Sequence, residues 1–259
     1  MAVRLYVEEG LAEGGALELG PEQTHYLAHV MRLGPGDCVH LFNGRDGEWE
    51  TVIEKILKKR ARVMPRQCRR AQETLPDLWL LFAPIKRNRI ENLVEKATEL
   101  GVVHLKPVIT ERTEVKRVNE KRLKAHAIEA AEQTERLSVP EIGAAEPLES
   151  VLAAWPAARR LLLCDETGGG PPILEALAEA GPGSWALLTG PEGGFAPAEL
   201  DRLRRLPFIT AASLGPRVLR ADTAAVAAMT CWQTVLGDWQ RRPSFRFEET
   251  PSPKAAGKP

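Results

Sequence analysis

The sequence predicts an α/β protein in two parts, a small N-terminal β-barrel followed by a mostly parallel α/β sheet with helices on both faces. Over about the first 70 residues, short β-rich segments alternate with turns rich in glycine and asparagine, which favours a closed barrel of short strands. Beyond residues 71–76, apolar segments alternate with helical ones. That pattern is typical of parallel strands joined by helical crossovers.

The composition indicates an ordinary folded protein without a charge bias. Of 259 residues, 44% are hydrophobic and 27% are charged, and 35 basic residues balance 35 acidic ones. Net charge therefore does not point to nucleic acid, and such evidence must come from local patches. The N-terminus is charged too early for a signal peptide, and no apolar run is long enough to span a membrane.

The cysteines and histidines favour a reduced, metal-free, cytoplasmic protein. The four cysteines lie far apart without a CxxC pair, and none of the five histidines has metal-ligand spacing to a cysteine. We therefore expect neither a metal nor a membrane among the partners.

The N-terminal part contains four predicted strands, RLYVEE, DCVHLFNG, EWETVIEKI and KRARVMP. Only THYLAHVMRLG has helical spacing here, and we expect Thr24 to cap this helix and Gly34 to end it. The predicted domains are 1–72 for the barrel and 73–243 for the α/β part. Residues 244–259 form a polar, proline-rich tail that we expect to be disordered.

The larger part alternates strands and helices. The predicted strands are DLWLLFAPI, VVHLKPVI, RLLLCDE, SWALLTG and FITAASLG. The predicted helices are NRIENLVEKATELG, KRLKAHAIEAAEQTERL, PILEALAEA, PAELDRLRRL and a last one from about Ala221 to Trp239.

Two glycine turns follow late strands. The first, TGPEGGFAPAEL at 189–200, is neither GxxxxGK[ST] nor GxGxxG and has no lysine to meet a phosphate. Glu192 would repel a triphosphate, so a nucleoside with a positive charge and no phosphate chain fits better. The second, SLGPRVLRADTAA at 213–225, leads into an alanine-rich helix. The two turns can form opposite walls of one pocket at the carboxyl ends of the strands. Taken alone, the first loop is explained more simply as a strand-to-helix turn in which the glycines serve only the turn geometry.

Together, GPEGGF and SLGPRVLRADTAA resemble the RsmE family of SPOUT-class RNA methyltransferases. The resemblance extends to EKATELGVVHLKPVITERTEV, AAEQTERLSVPEI and, in the N-terminal part, HYLAHVMRLGPGD with LFNGRDGEW. It thus covers nearly the whole chain to about Pro243. It implies a PUA-like N-terminal barrel, a SPOUT domain with a C-terminal trefoil knot, and a homodimer.

The resemblance also implies a reaction. The family methylates N3 of a uridine (the uracil-1498 type) in 16S ribosomal RNA of the small subunit, using S-adenosyl-L-methionine. The substrate is either free RNA or the assembled small ribosomal subunit. By resemblance, the cofactor-binding residues are expected to be those of the two turns and the strand before the first: Leu188, Gly190, Pro191, Glu192, Gly193, Gly194, Leu214, Gly215, Leu219 and Arg220.

The chain departs from the family pattern at three positions. The usual Arg-Thr-Glu-Thr-Ala becomes Arg-Ala-Asp-Thr-Ala, so that Ala221 lacks a hydroxyl and Asp222 is one methylene shorter than glutamate. Ala196 stands where a serine often caps the next helix, a loss of about 1 kcal/mol.

Basic residues mark candidate RNA contacts. From Lys55 to Arg70, eight of sixteen residues are basic and none is acidic, which suits a surface that follows phosphates but also a solvated hairpin. A second group of basic residues lies at the start of the first helix of the larger part, where the helix dipole disfavours cations. Either a bound polyanion or ordinary exposure to solvent would explain their presence there. The candidates in these two groups are Lys58, Lys59, Arg60, Arg62, Arg66, Lys86, Arg87 and Arg89.

For catalysis, a guanidinium near the uracil carbonyl oxygens would stabilise the charge left when the N3 proton departs. Arg220 is the first candidate and Arg136 the second. The resemblance places Arg136 near the cleft together with Gln133, which is a further candidate RNA contact. The alternative is that Glu132 and Arg136 pair on an exposed helix face. The base is Glu192, Asp222 or water.

Three other functions remain as alternatives. One is a SPOUT enzyme that methylates a ribose 2′-hydroxyl or another base. Another is a non-enzymatic RNA-binding assembly factor. A nucleotide hydrolase is disfavoured because the sequence has no phosphate loop and no acidic metal cluster.

Overall fold

The computed structural model describes residues 3–241, apart from the side chain of Arg87. The prediction of a disordered tail at 244–259 lies outside these residues. The first sheet has five strands: β1 (Arg4–Tyr6), β2 (Leu17–Leu19), β3 (Cys38–Phe42), β4 (Glu48–Leu57) and β5 (Arg60–Arg70). Their order is β1-β3-β4-β5-β2, with β1 parallel to β3 and the other pairs antiparallel. All four predicted strands are present, and the short β2 was missed.

The helix of this part differs from its prediction. Helix α1 (Pro21–His25) begins earlier and continues as a π-helical turn over Tyr26–Val30. Gly20 is the N-cap and proline occupies the first turn, where its fixed φ suits a helix start. Thr24 lies inside the helix and its hydroxyl donates to the carbonyl of Leu19 at 3.3 Å. Thr24 as cap was therefore wrong, because the proline sets the start. Gly34 as end was wrong too, because the helical turns end at Val30 and Arg32 already has a positive φ of 57°.

The second sheet has seven strands, all paired in parallel. Its elements are β6 (Leu78–Phe82), α2 (Arg87–Glu99), β7 (His104–Ile109), α3 (Glu120–Gln133), β8 (Glu141–Ile142), β9 (Glu146–Pro147), α4 (Leu148–Ala153), β10 (Arg160–Cys164), α5 (Ile173–Ala180), β11 (Trp185–Thr189), α6 (Pro197–Arg204), β12 (Ile209–Ala212) and α7 (Ala221–Val235). The main order is β12-β10-β11-β6-β7-β8, while β9 pairs with β7. The predicted parallel α/β sheet is confirmed, and the short β8, β9 and α4 were missed.

Alternating side chains of the strands build two apolar layers. In β10, Leu162 and Cys164 face a core that includes residues of α2, α5 and α7, whereas Leu161 and Leu163 face a core that includes residues of α4 and α6. Strands buried on both faces read as continuous apolar runs, as in RLLLC. Among the described residues, no helix is both long and apolar enough to cross a bilayer.

The two sheets are joined by a buried cation. The guanidinium of Arg4 donates to the carbonyls of Ala131 (2.9 Å), Glu132 (3.0 Å) and Arg136 (3.0 Å), which lie at and just beyond the end of α3. Its Nε donates to Glu48 Oε1 at 2.5 Å, and both side chains are less than a tenth exposed. A cation at a helix C-terminus satisfies the last carbonyls and opposes the negative end of the dipole.

Replacing this cation should destabilise the protein. We expect Arg4→Met to lower the free energy of unfolding by about 2–4 kcal/mol, because it leaves three carbonyls at the end of α3 without this donor and removes one of the two arginines beside buried Glu48, the other being Arg70. Arg60→Met removes an exposed pair with Glu18 and should change it by less than about 1 kcal/mol. Urea unfolding of the three proteins measures both values. Equal losses in the two variants would contradict the role of Arg4.

Candidate functional site

A cavity of about 210 Å³ opens at the carboxyl ends of β10 and β11, between the two glycine turns. Its lining comprises Cys164, Glu166, Thr189, Gly190, Pro191, Glu192, Gly194, Val218, Leu219, Arg220, Ala221 and Ala224. A smaller cavity of about 40 Å³ shares part of this wall and adds Asp165, Leu214, Gly215 and Arg217. Open parallel sheets bind ligands at this edge, and the predicted meeting of the two turns is present.

The first turn needs glycine at two points. Gly194 has φ +66°, and a Cβ there would lie 2.4 Å from Glu166 Oε1. At Gly190, a Cβ would lie 3.0 Å from the ring of Phe195. Arg112, in the loop after β7, donates to the carbonyl of Gly193 at 3.0 Å. Arg112 therefore holds the first turn from the loop after β7.

Arg89 links the two turns. It donates from Nη2 to Asp222 Oδ1 at 2.5 Å, from Nε to Oδ2 at 3.2 Å, and from Nη1 to Glu192 Oε1 at 3.2 Å. The hydrogen bond to Asp222 raises the pKa of Arg89, and Arg89 lowers the pKa of Asp222. Asp222 is thus a weak proton acceptor, which disfavours it as the base.

Arg220 lies at the mouth of the larger cavity. It is the N-cap residue of α7, in extended conformation, and its side chain is exposed. No ion pair with it is present among the described residues. The guanidinium is therefore available to a ligand, as a charge-stabilising role requires.

The expected cofactor-binding residues divide among three hollows. The larger cavity is lined by Gly190, Pro191, Glu192, Gly194, Leu219 and Arg220, and the smaller one by Leu214, Gly215 and Leu219. Gly193 borders a wide groove of about 470 Å³ beside them. Leu188 does not line them: it is fully buried among the core side chains that include those of α6. The binding roles themselves stay predictions.

Sequence reasoning missed the loop after β10. Cys164, Asp165 and Glu166 reach the cavities, as does Val218 from the second turn. The signal was present in CDETGGG, where carboxylates and glycines directly follow a buried strand. Burial raises the pKa of Cys164 to about 12, so that its thiol is a neutral wall of the cavity.

Arg136 does not line the cavities. Its guanidinium donates to the carbonyls of Thr98 (2.6 Å) and Val102 (2.7 Å), at the C-terminal end of α2. Burial lowers its pKa to about 10, so it stays a cation at neutral pH. This placement favours a structural use, and a catalytic role remains the prediction of the resemblance alone.

The basic run of the first sheet is partly neutralised. Arg60, Arg62 and Arg69 form ion pairs with Glu18, Glu54 and Glu50, which lie on neighbouring strands. Lys58 and Lys59 are exposed at the turn between β4 and β5, and Arg66 is exposed on β5. Among the interactions of the described residues these three have no carboxylate partner, so their charges are available, and their role as phosphate contacts stays a prediction.

The remaining RNA candidates are spread. Lys86 is exposed at the N-cap of α2, while the side chain of Arg87 lies outside the described residues. Arg89 is held by the two carboxylates described above. Gln133 is exposed at the end of α3, where its amide lies 3.4 Å from Glu129, and it does not line the cavities.

Comparison with known proteins defines the class. A model of an RNA methyltransferase domain matches residues 72–233, and a model of an RNA methyltransferase PUA domain matches residues 19–63. This architecture is that of an RNA methyltransferase. Ribosomal RNA small subunit methyltransferase E of Rickettsia conorii is 33% identical over 87% of this chain and 93% of its own. The protein of that name from Synechocystis sp. is 31% identical over 88% and 76%. The chain belongs to the ribosomal RNA small subunit methyltransferase E family.

Solved structures agree with this assignment. A methyltransferase of Legionella pneumophila in complex with bound SAM superposes with a TM-score of 0.79 at 30% identity, covering 92% of this chain and 99% of its own. Ribosomal RNA small subunit methyltransferase E of Neisseria gonorrhoeae bound to S-adenosyl methionine gives a TM-score of 0.80 at 25% identity, covering 92% and 100%.

A side chain at position 194 should disrupt the first turn. Gly168 also has positive φ (+77°) but open space around its Cβ position, so Gly168→Ala should cost only the left-handed conformation, about 1–2 kcal/mol. Gly194→Ala also displaces the end of the Glu166 side chain from the backbone amide of Phe195 and should cost about 1 kcal/mol more. Urea unfolding measures the difference between the variants, and no difference would mean that the clash is relieved without cost.

The Arg89–Asp222 pair should give a pH-dependent stability. The pKa of Asp222 is lower in the folded protein than its ordinary value of 3.8, so its contribution is present above that value and is lost as the pH falls through the folded pKa. We expect Asp222→Asn to be less stable than the wild type at pH 6, with the gap closing below pH 3.8. Unfolding at a series of pH values checks this, and a gap that does not change with pH would exclude the ionic contribution.

Proposed function

We propose that this protein transfers the methyl group of S-adenosyl-L-methionine to N3 of a uridine in 16S ribosomal RNA. The observation that carries the proposal is the larger cavity between the two glycine turns, with the exposed guanidinium of Arg220 among its lining residues. Family membership and the cofactor named for two structural relatives support the same reaction.

The lining of the cavity fits this cofactor. Backbone of Gly190–Gly194 offers hydrogen bonds without bulk, and Leu214, Leu219 and Ala224 offer apolar surface for a base. No lysine lines either cavity among the described residues. Glu166 and Glu192 would repel a phosphate chain and favour a cation. When bound, the cofactor supplies a methyl group activated by its sulfonium.

Arg220 would act on the acceptor. The N3 proton of uracil must leave, and the charge then spreads onto the two flanking carbonyl oxygens. A guanidinium at the cavity mouth would stabilise that charge, and it would also orient the ring by donating hydrogen bonds. Glu192 or water would take the proton, since Arg89 keeps the pKa of Asp222 low.

The proposal extends to the RNA contacts outside the site, the chain topology and the oligomeric state. Lys58, Lys59 and Arg66 would contact RNA phosphates outside the site. We propose a SPOUT trefoil knot, supported by the close passage of the loop after β10: a Cβ on Gly170 would lie 2.4 Å from the carbonyl oxygen of Ala211. A homodimer would cover the exposed apolar side chain of Trp239, which follows α7.

The proposal is tested by labelled methyl transfer. The purified protein is incubated with labelled cofactor and either naked 16S RNA or small ribosomal subunits that lack the modification, and the RNA is digested for mass spectrometry. We expect 3-methyluridine. A 2′-O-methylated nucleoside or another methylated base would reassign the acceptor, and absence of any labelled product would overturn the proposal.

Arg220→Ala should separate binding from catalysis. We expect cofactor affinity to stay near that of the wild type and turnover to fall by about 10²–10³-fold, the effect of removing one charge-stabilising donor. Arg205→Ala, which changes an exposed arginine just after α6, is the matched control and should keep its activity. Unchanged turnover in Arg220→Ala would remove this residue from the mechanism.

A further inference from the structure

Glu166 occupies the junction of the three hollows. It borders the larger cavity, the smaller cavity and the wide groove, whereas Glu192 borders only the larger cavity and the groove. Among the described residues, only Val218 shares this position with it. Glu166 is thus the carboxylate that a ligand extending from one cavity into the other must pass.

One oxygen of this carboxylate is fixed and the other is available. Oε1 accepts from the backbone amide of Phe195 at 2.8 Å, which holds the side chain against Gly194. Within the described part of the chain, Oε2 has no hydrogen-bond partner and no cation pairs with the group. The neighbouring Asp165 differs, because Thr167 and Arg204 already bind both of its oxygens.

We propose that Glu166 recognises the ribose of the cofactor by accepting hydrogen bonds from its 2′ and 3′ hydroxyls. This inference rests on the proposed function. A nucleoside whose base enters one cavity and whose sulfur-bearing arm enters the other has its sugar at the junction, where Glu166 lies. A carboxylate is a strong acceptor for a vicinal diol, and α/β sheets use an acidic residue in this way for other nucleosides.

The alternative role of the same carboxylate would be to attract the sulfonium. Glu192 is the other candidate for that role, because it lies on the turn that lines the larger cavity, and Arg89 already donates to one of its oxygens. The two roles differ in what they sense. A contact with hydroxyls does not depend on the charge of the sulfur, whereas attraction to the sulfonium disappears when the sulfur is neutral.

The test is a binding cycle measured by calorimetry. S-adenosylmethionine, S-adenosylhomocysteine and the 2′-deoxy analogue of S-adenosylhomocysteine are titrated into the wild type, Glu166→Ala and Glu166→Gln. Glu179→Gln, on the exposed side of α5, is the control. We expect the missing hydroxyl to weaken binding to the wild type and the control by about tenfold or more. In Glu166→Ala, loss of the same hydroxyl should weaken binding by less than about twofold, because the carboxylate that would accept its hydrogen bond is gone.

Other results overturn the inference. If loss of the 2′ hydroxyl lowers the affinity of the wild type and of Glu166→Ala by the same factor, Glu166 only anchors the glycine turn through Phe195. If Glu166→Gln weakens S-adenosylmethionine much more than S-adenosylhomocysteine, the group senses the sulfonium. Should Glu166→Ala fail to fold, Glu166→Gln carries the same cycle, because an amide oxygen still accepts from Phe195. If the wild type binds neither ligand, the proposed function fails and this inference with it.

Discussion

The site depends on one guanidinium that joins two turns far apart in the chain. Arg89 enters from the first turn of α2 and holds both Glu192 and Asp222. A cation at a helix N-terminus is unfavourable by itself, and the two carboxylates offset that cost. Without this contact, the two walls of the cavity would be linked mainly through the strands behind them, and two like charges would face each other across it.

The same chemistry stabilises the framework around the site. Arg4 satisfies carbonyls at the end of α3, and Arg136 satisfies carbonyls at the end of α2. Each guanidinium provides several donors in a fixed plane, which suits the cluster of unpaired carbonyls at a helix end. Because Arg136 also follows α3, the two residues connect the first sheet, α3 and α2 in one hydrogen-bonded chain. Buried polar contacts thereby hold the first sheet against the end of α3.

The loop after β10 shows how neighbouring acidic residues acquire different roles. Asp165 is buried and bound by Arg204, whose hydrogen bonds, with those of Thr167, keep its pKa low despite burial. Glu166 turns outward to the cavities. The glycines that follow allow this loop to pass close to β12, where any side chain at Gly170 would strike the backbone. Geometry, rather than residue type, separates the carboxylate that supports the loop from the one that faces a ligand.

The sequence by itself determined the strand and helix alternation, the family and the two turns that meet at the sheet edge. The alternation follows from local patterns, since buried parallel strands are continuous apolar runs. The family and the pairing of the two turns followed from the resemblance of their motifs. Tertiary structure alone decided the partners of long side chains. Spacing placed Arg136 on an exposed helix face and the resemblance placed it near the cleft, yet its guanidinium caps α2. The sequence offered Arg89 as an RNA contact, yet two carboxylates hold it. Glu166 went unnoticed, yet three hollows meet there. A guanidinium or carboxylate can reach acceptors or donors in any direction, so its partner depends on which distant backbone the fold brings near.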